Sequence, residues 1–447
     1  MSPSPAGPAP MAGKMGRWMA VSLVMGNMIG SGIYLLPAAL APLGYNSLAG
    51  WALTIAGGLC LAATFAWLAR VMPAEGGPYA YVSAAFGPLT AFIVAWSYWV
   101  SLWIGVAAIA IAGVSYATLF APGLAAIPGG QALAAVAAIW ALTLLNLTGA
   151  RKVGGFQLAT VLVKLVPLFL VLVLAAIALA GGEAQVRPAE PGGLQPGLIT
   201  AAATLTLWAL LGLESATVPA GKIVDPERTI PFATLVGTAL TGLLYLLTCS
   251  AIVLLMPENL IAGSGAPFAD FVAYFWAPGP ALLIALFAAI SCFGAMNGWI
   301  LLQAELPYAM ARDGTFPRWF AGVNKAGVPA RALLLTSVLA TVITLLNYDS
   351  TAAEIFSFLL LVSTCCTLFL YLACMLAALV LRQRGKRGGR LPSRGWLPWI
   401  AGLAAVYSAW TIYGAGGEAV AWGLALLVLS LPAYYLCAAL ARRQPRD

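Results

Sequence analysis

The chain runs to 447 residues, 62% hydrophobic and only 8% charged, whereas a soluble domain carries roughly 25% charged residues; this composition excludes a water-solvated globule. Its 22 Lys and Arg against 14 Asp and Glu leave a formal charge of +8, and histidine is absent. His-dependent acid–base catalysis and His metal ligation are thereby excluded, and the seven cysteines show no paired spacing that points to disulfides or a metal site.

A hydrocarbon core about 30 Å thick is crossed by about 20 apolar residues in a helix. In chain order such segments fall at 18–40, 46–69, 87–117, 130–148, 156–180, 200–221, 232–256, 278–309, 331–347, 353–380, 396–414 and 419–440. The expected fold class is an all-α membrane protein with twelve transmembrane helices. The Pro-rich start from Ser2 to Pro10 leads into the first span, with no cleavable signal peptide evident.

Short loops rich in Lys and Arg stay on the cytoplasmic side. Lys14 and Arg17 precede the first span, Arg70 follows the second, Arg151 and Lys152 the fourth, and Lys222 and Arg228 the sixth. The same side collects Arg312, Arg318, Lys325 and Arg331, then Arg382, Arg384, Lys386, Arg387, Arg390 and Arg394, and the tail Arg442, Arg443 and Arg446. Only Arg187, outside, and Lys164, within the fifth span, depart from this pattern, so both termini are expected in the cytoplasm. Such a distribution follows topology and anionic lipid, so membrane lipids are expected as partners and nucleic acid is not. An oligomer is compatible with an apolar exterior that lipid would cover in either state.

The first span contains Gly26-Asn27-Met28-Ile29-Gly30-Ser31-Gly32-Ile33-Tyr34. Glycine permits irregular dihedrals, and non-helical backbone at membrane depth is tolerated only against protein or an aqueous cavity. A break there turns an N-terminal helix end toward a carboxylate and a carbonyl end toward a cation, which suits an amino acid zwitterion. Close helix packing through small residues is the alternative. The sixth span carries a second interruption, Leu207-Trp208-Ala209-Leu210-Leu211-Gly212-Leu213-Glu214. Matching breaks in the first and sixth helices are what a five-plus-five inverted repeat produces.

Glu214 is a carboxylate in a span, expensive there and a candidate for transport, gating or proton binding, or else a structural acceptor for backbone donors. Trp208 and Trp299 sit beside glycine-bearing segments and are candidate pocket walls. The third span adds Trp96-Ser97-Tyr98-Trp99, with Tyr98 the better polar gate. Lys164 lies about halfway along its span; its amine is expected to enter the bundle and meet carbonyls at the first break, with structural pairing and snorkelling as alternatives.

Several strings, in order and spacing, resemble the amino acid–polyamine–organocation transporter superfamily, especially the bacterial arginine/agmatine antiporter and related amino acid antiporters. They are Gly26 to Pro37, Gly76-Gly77-Pro78-Tyr79-Ala80-Tyr81, Leu207 to Ala216, Asp225-Pro226-Glu227-Arg228-Thr229-Ile230-Pro231 and Phe320 to Pro329. The resemblance implies alternating access in a bacterial-type inner membrane, without cofactor or enzymatic chemistry. It implies a substrate carboxylate on Gly30-Ser31-Gly32, an α-amino group on carbonyls around Ile29 and from Trp208 through Ala209 to Gly212, Trp208 stacked on the substrate as an intermediate gate, and Trp299 as the opposite wall. Tyr98 resembles an outer gate, Glu214 an inner gate and pH-responsive group, and Lys164 a lysine standing in for sodium.

Departures bear on specificity. Val106 and Ile109 stand where the arginine/agmatine antiporter has asparagine and methionine, and Phe358-Leu359-Leu360-Leu361 lacks its serines. Loss of an amide removes a partner for guanidinium. The expected function is therefore sodium-independent transport of smaller or apolar amino acids, by exchange or proton coupling. Antiport of basic amino acids and amines is the alternative, and a sensor that binds amino acids without flux is the alternative of another class. The implied organisation is a tail at 1–17, repeats at 18–180 and 200–380 joined by an outer loop 181–199, a basic loop 381–395, two further helices at 396–440 and a tail at 441–447.

Overall fold

A computed structural model describes residues 14–189, 192–346, 352–388 and 395–443. The tail before Lys14, parts of the two expected loops, the last four residues, and the orientation markers Arg390, Arg394 and Arg446 lie outside the described residues. Among the described residues there is helix, turn and loop, with one isolated bridge between Met15 and Ile223.

The helices are α1 (Arg17–Met28), α2 (Ser31–Leu40), α3 (Tyr45–Val71), α4 (Pro78–Phe86), α5 (Pro88–Ala117), α6 (Gly123–Ala126), α7 (Gly130–Asn146), α8 (Ala150–Ala180) and α9 (Pro196–Leu210). They continue as α10 (Pro226–Leu255), α11 (Glu258–Ile261), α12 (Pro267–Phe275), α13 (Pro278–Arg312), α14 (Ala330–Leu346), α15 (Ala352–Gly388), α16 (Leu397–Gly414) and α17 (Gly417–Arg443). α4, α5, α9, α10, α12 and α13 open at a proline, whose missing N–H and fixed φ suit the first helical position. Among the described residues, eight helices or helix pairs are long and apolar enough to cross a membrane; α7, α9 and α14 are shorter apolar helices. The short helices α4 and α12, in the connections before α5 and α13, were not expected from hydropathy, which cannot register elements of nine residues.

The first span is broken. α1 stops at Met28, Ile29 and Gly30 are extended, and α2 starts at Ser31. In the sixth span the helix ends at Leu210, and the expected continuation to 221 is not α-helix. Residues 211–219 form successive turns and Ala220–Lys222 a short 3₁₀ turn. Gly212 adopts φ +103, a conformation that costs glycine little and other residues much, and a Cβ there would lie 3.0 Å from Cβ of Asn27. The two breaks therefore meet.

Helix contacts come in pairs. α1 packs on α10 and α9 on α3; α5 packs on α15 and α13 on α8. α4 lies against α5 and α15, α12 against α13 and α8, while α7 touches α13 and α14 touches α5.

Candidate functional site

The last carbonyls of a helix and its first amides lack intrahelical partners, and the α1–α2 break exposes both sets in the protein interior. Two carbonyls of α1 are claimed by side chains. Nζ of Lys164 donates to the Gly26 oxygen at 2.5 Å, and Nε1 of Trp299 donates to the Asn27 oxygen at 3.2 Å. The amide end, Ser31 and Gly32, faces the end of α9: a Cβ on Gly32 would lie 2.9 Å from Cα of Ala209 and 3.1 Å from the Trp208 ring. Only glycine lets these two backbones approach so closely.

Gly30, Ser31, Gly32, Ile109, Trp208 and Trp299 line a common cavity, joined by Asn27 and Ala295. Its volume is about 10 Å³, room for about one water. The Trp208 and Trp299 rings, with centroids 5.6 Å apart at 45°, fill the space between α9 and α13. Ile29 is buried at the break, Ala209 backs Gly32 and Gly212 backs Asn27. Val106 is buried on α5 but is not among the residues lining the cavity.

Asn27 is the node of a polar chain that hydropathy had hidden. Its amide donates to Oγ of Ser215 at 2.7 Å, and Ser215 in turn donates to the Gly212 carbonyl. Its side-chain oxygen accepts from Gln157 at 3.4 Å; Asn297 donates to Gln157 at 3.4 Å, and Asn146 donates to Asn297 at 2.9 Å. Five polar side chains from α1, α7, α8, α13 and the turn after α9 thus hydrogen-bond one another in the interior, where an unpaired amide is costly, with only Oδ1 of Asn146 in this polar chain left without a partner among the described residues. Asn27 reads from sequence as added polarity at the first break, whereas Gln157, Asn297 and Asn146 were not singled out; the signal was an amide in each of four spans.

Glu214 follows the α9 break and is 1% exposed. Its carboxylate accepts from the hydroxyls of Tyr98 on α5 and Tyr371 on α15. Tyr98 precedes Ile109 by eleven residues, so this layer lies about 16 Å along α5 from the cavity wall, toward the end that follows Arg70. The assignment of Tyr98 and Glu214 to opposite gates is therefore corrected: they form one layer, because the turns after Leu210 return the carboxylate to α5. Nearer the basic loops, Lys222 pairs with the buried Glu305, and the Met15 backbone bridges Lys222 and Val224.

Lys164 is fully buried, which removes snorkelling as a description of its position. Its own carbonyl accepts from the Tyr34 hydroxyl at 3.0 Å, and Tyr34 also shares a hydrogen bond with Ser291 at 3.0 Å. Residues 358–361 do lack serines, but the part of α15 that meets α5 lies one turn further on. Ser363 donates to the Ser101 carbonyl at 2.8 Å and Thr367 to the Ser101 hydroxyl at 2.9 Å. A Cβ on Gly105 would touch both Trp299 and Ser363, so this polar strip borders the tryptophan wall.

On the opposite side, α2, α5, α9 and α15 enclose an apolar cavity of about 250 Å³, capped by Gly263-Ser264-Gly265. Arg187, the expected lone outer cation, is clamped: it pairs with Glu258 at 2.6 Å and donates to the Ala41 carbonyl at 3.1 Å.

Two broken elements meeting at a small buried cavity, with a polar layer on one side and an apolar chamber on the other, define a transmembrane transport protein. The chain belongs to the amino acid permease family, within the amino acid–polyamine–organocation superfamily; the family's sequence model matches residues 15–439. It is 34% identical to the cadaverine/lysine antiporter of Escherichia coli strain K12 over 75% of this chain and 76% of that protein. It is 30% identical to the putrescine transporter PotE of the same strain over 95% of this chain and 96% of that one. The putrescine transporter PotE of Haemophilus influenzae is 29% identical over 92% and 94%.

Proposed function

We propose that this protein is a sodium-independent antiporter that exchanges an amine for an amino acid across the cytoplasmic membrane. The observation that carries this is an amide–carbonyl cradle at the two breaks with a buried carboxylate, Glu214, in the layer beyond it on the side of the basic loops. The Ser31–Gly32 amides and the carbonyls at the end of α9 suit the shared zwitterionic end of amino acids. Glu214 supplies a negative charge for an amine, and its two tyrosine hydroxyls hold it in place until a cation competes for it. The similarity to a cadaverine/lysine antiporter and putrescine transporters favours this reading over carriage of small neutral amino acids, and over a sensor without flux. Ile109, which lines the cavity, still argues against guanidinium, since it offers no hydrogen-bond partner.

The paired packing supports a five-plus-five repeat. Exchanging α1 with α9, α3 with α10, α5 with α13, α7 with α14 and α8 with α15 maps the paired contacts described above onto their counterparts, α4 onto α12 included. On this reading α16 and α17 complete twelve spans, the basic loops face the cytoplasm and the repeats occupy 18–180 and 200–380. Trp208 and Trp299 close the site around substrate, the Tyr98–Glu214–Tyr371 layer gates the cytoplasmic side, and Lys164 occupies the place a sodium ion would take. Proton coupling enters through Lys164 or Glu214.

Proteoliposomes preloaded with cadaverine, putrescine, lysine, ornithine or neutral amino acids, and assayed for counterflow with and without a proton gradient, test the proposal. Exchange of diamines and their parent amino acids is expected. Exchange confined to neutral amino acids would restore the neutral reading, and binding without flux would favour the sensor.

A further inference from the structure

On the outer face of the bundle, away from the transport cavity, α3, α10 and α16 enclose a cleft of about 270 Å³. Its lining is in helical register: Ala63, Trp67 and Arg70 on α3, Pro231 and Leu235 on α10, and Ile400 on α16. Arg70 ends the cleft on the side of the basic loops. Arg228 stands seven residues before Leu235 and so is nearly aligned with it on α10, while its neighbour Glu227, one turn before Pro231, borders the adjoining edge of the same face. Both arginines are exposed, and neither has a side-chain hydrogen bond or ion pair among the described residues. In the other direction the track stays apolar, with Leu235 37% and Leu243 53% exposed. From Arg228 to Leu243 is about 22 Å of helix, enough to lie beside a long acyl chain.

We propose that this cleft binds one anionic glycerophospholipid from the leaflet next to the basic loops. Its phosphate sits between Arg70 and Arg228, which supply charge-assisted hydrogen bonds. Its acyl chain follows Leu235 and Leu243, and Trp67 and Trp396 flank the head-group level where indoles favour the interface. Two unpaired cations at one end of an apolar groove are complementary to a lipid in both halves; a free phosphate would use only the first. The bound lipid ties α16 to α3 and α10, the pair of helices that support the two broken spans.

The full chain, delipidated in detergent, is titrated with dioleoylphosphatidylglycerol or dioleoylphosphatidylcholine and followed by native mass spectrometry. One phosphatidylglycerol should bind with a preference of about ten-fold over phosphatidylcholine, the size expected of one or two charge-assisted contacts. Arg70→Gln with Arg228→Gln should abolish that preference, and Arg70→Lys with Arg228→Lys should retain most of it. Leu235→Trp, which obstructs the acyl track with both arginines intact, should also weaken binding. Equal affinity for the two lipids, or undiminished preference in the glutamine variant, overturns the proposal. Displacement of the lipid by millimolar inorganic phosphate overturns the lipid as ligand. A matching thermal transition in lipid-free detergent shows that each variant is folded.

Discussion

Nζ of Lys164 rests 2.5 Å from the Gly26 carbonyl oxygen, so a side chain from the fifth span is fastened beside the point where the first span breaks. α8 and α1 are thereby tied together three residues before the break at Ile29 and Gly30.

Lys164→Ala removes that donor and leaves a buried carbonyl unsatisfied, at a cost of about 1–3 kcal/mol. Counterflow should fall at least about ten-fold if the coupling is functional, and the thermal transition should drop. Normal flux with a lowered transition temperature would reduce Lys164 to a structural role.

The carboxylate layer gives a separable expectation. Tyr98→Phe and Tyr371→Phe each remove one hydroxyl from Glu214, and Glu214→Gln removes the charge while keeping the shape. A double-mutant cycle measured on exchange rates should show coupling between each tyrosine and Glu214, because groups in one network are not additive. Glu214→Gln should lose diamine exchange before amino acid binding. Additive effects would dissolve the layer into three unrelated contacts.

Gly32→Ala places a methyl 2.9 Å from the Ala209 backbone, where neither side is a flexible side chain. Substrate binding by the folded variant, read by isothermal calorimetry, should disappear. Trp299→Ala should instead enlarge the cavity and free the Asn27 carbonyl, raising KM more than it lowers the maximal rate. A variant with unchanged KM would move the substrate away from the tryptophan pair.

Arg187→Ala cuts an outer clamp that is partly open to solvent, so its effect on stability should be small, about 1 kcal/mol or less. Its signature should be positional: accessibility of an outer cysteine reporter at Ser264, measured by thiol labelling in a background without native cysteines, should rise. Unchanged labelling would show that the loop is held closed by other contacts.

Hydropathy and glycine placement made the helices and the first break legible, because a polar interruption in an apolar helix has few explanations. Trp208, Trp299 and Lys164 stood out for similar reasons, being costly or bulky where the surroundings are plain. An interruption of the sixth span was legible from Gly212 and Glu214, but the run of turns after Leu210 was not, because it depends on Gly212 turning against the distant Asn27. The Tyr98–Glu214–Tyr371 layer depends on residues separated by 116 and 157 positions, a tertiary relation that no local pattern carries. The same holds for Ser101 with Ser363 and Thr367, where attention to 358–361 missed the turn of α15 that reaches α5.

The room left between the tryptophans, about 10 Å³, bears on the electrical life of the membrane. A passage collapsed to the size of a single water, with hydroxyls locked onto the carboxylate below it, offers no continuous file of water along which protons could hop. On the transport reading, a passage of this width would limit proton leak, so that many copies could reside in an energised bilayer without discharging it.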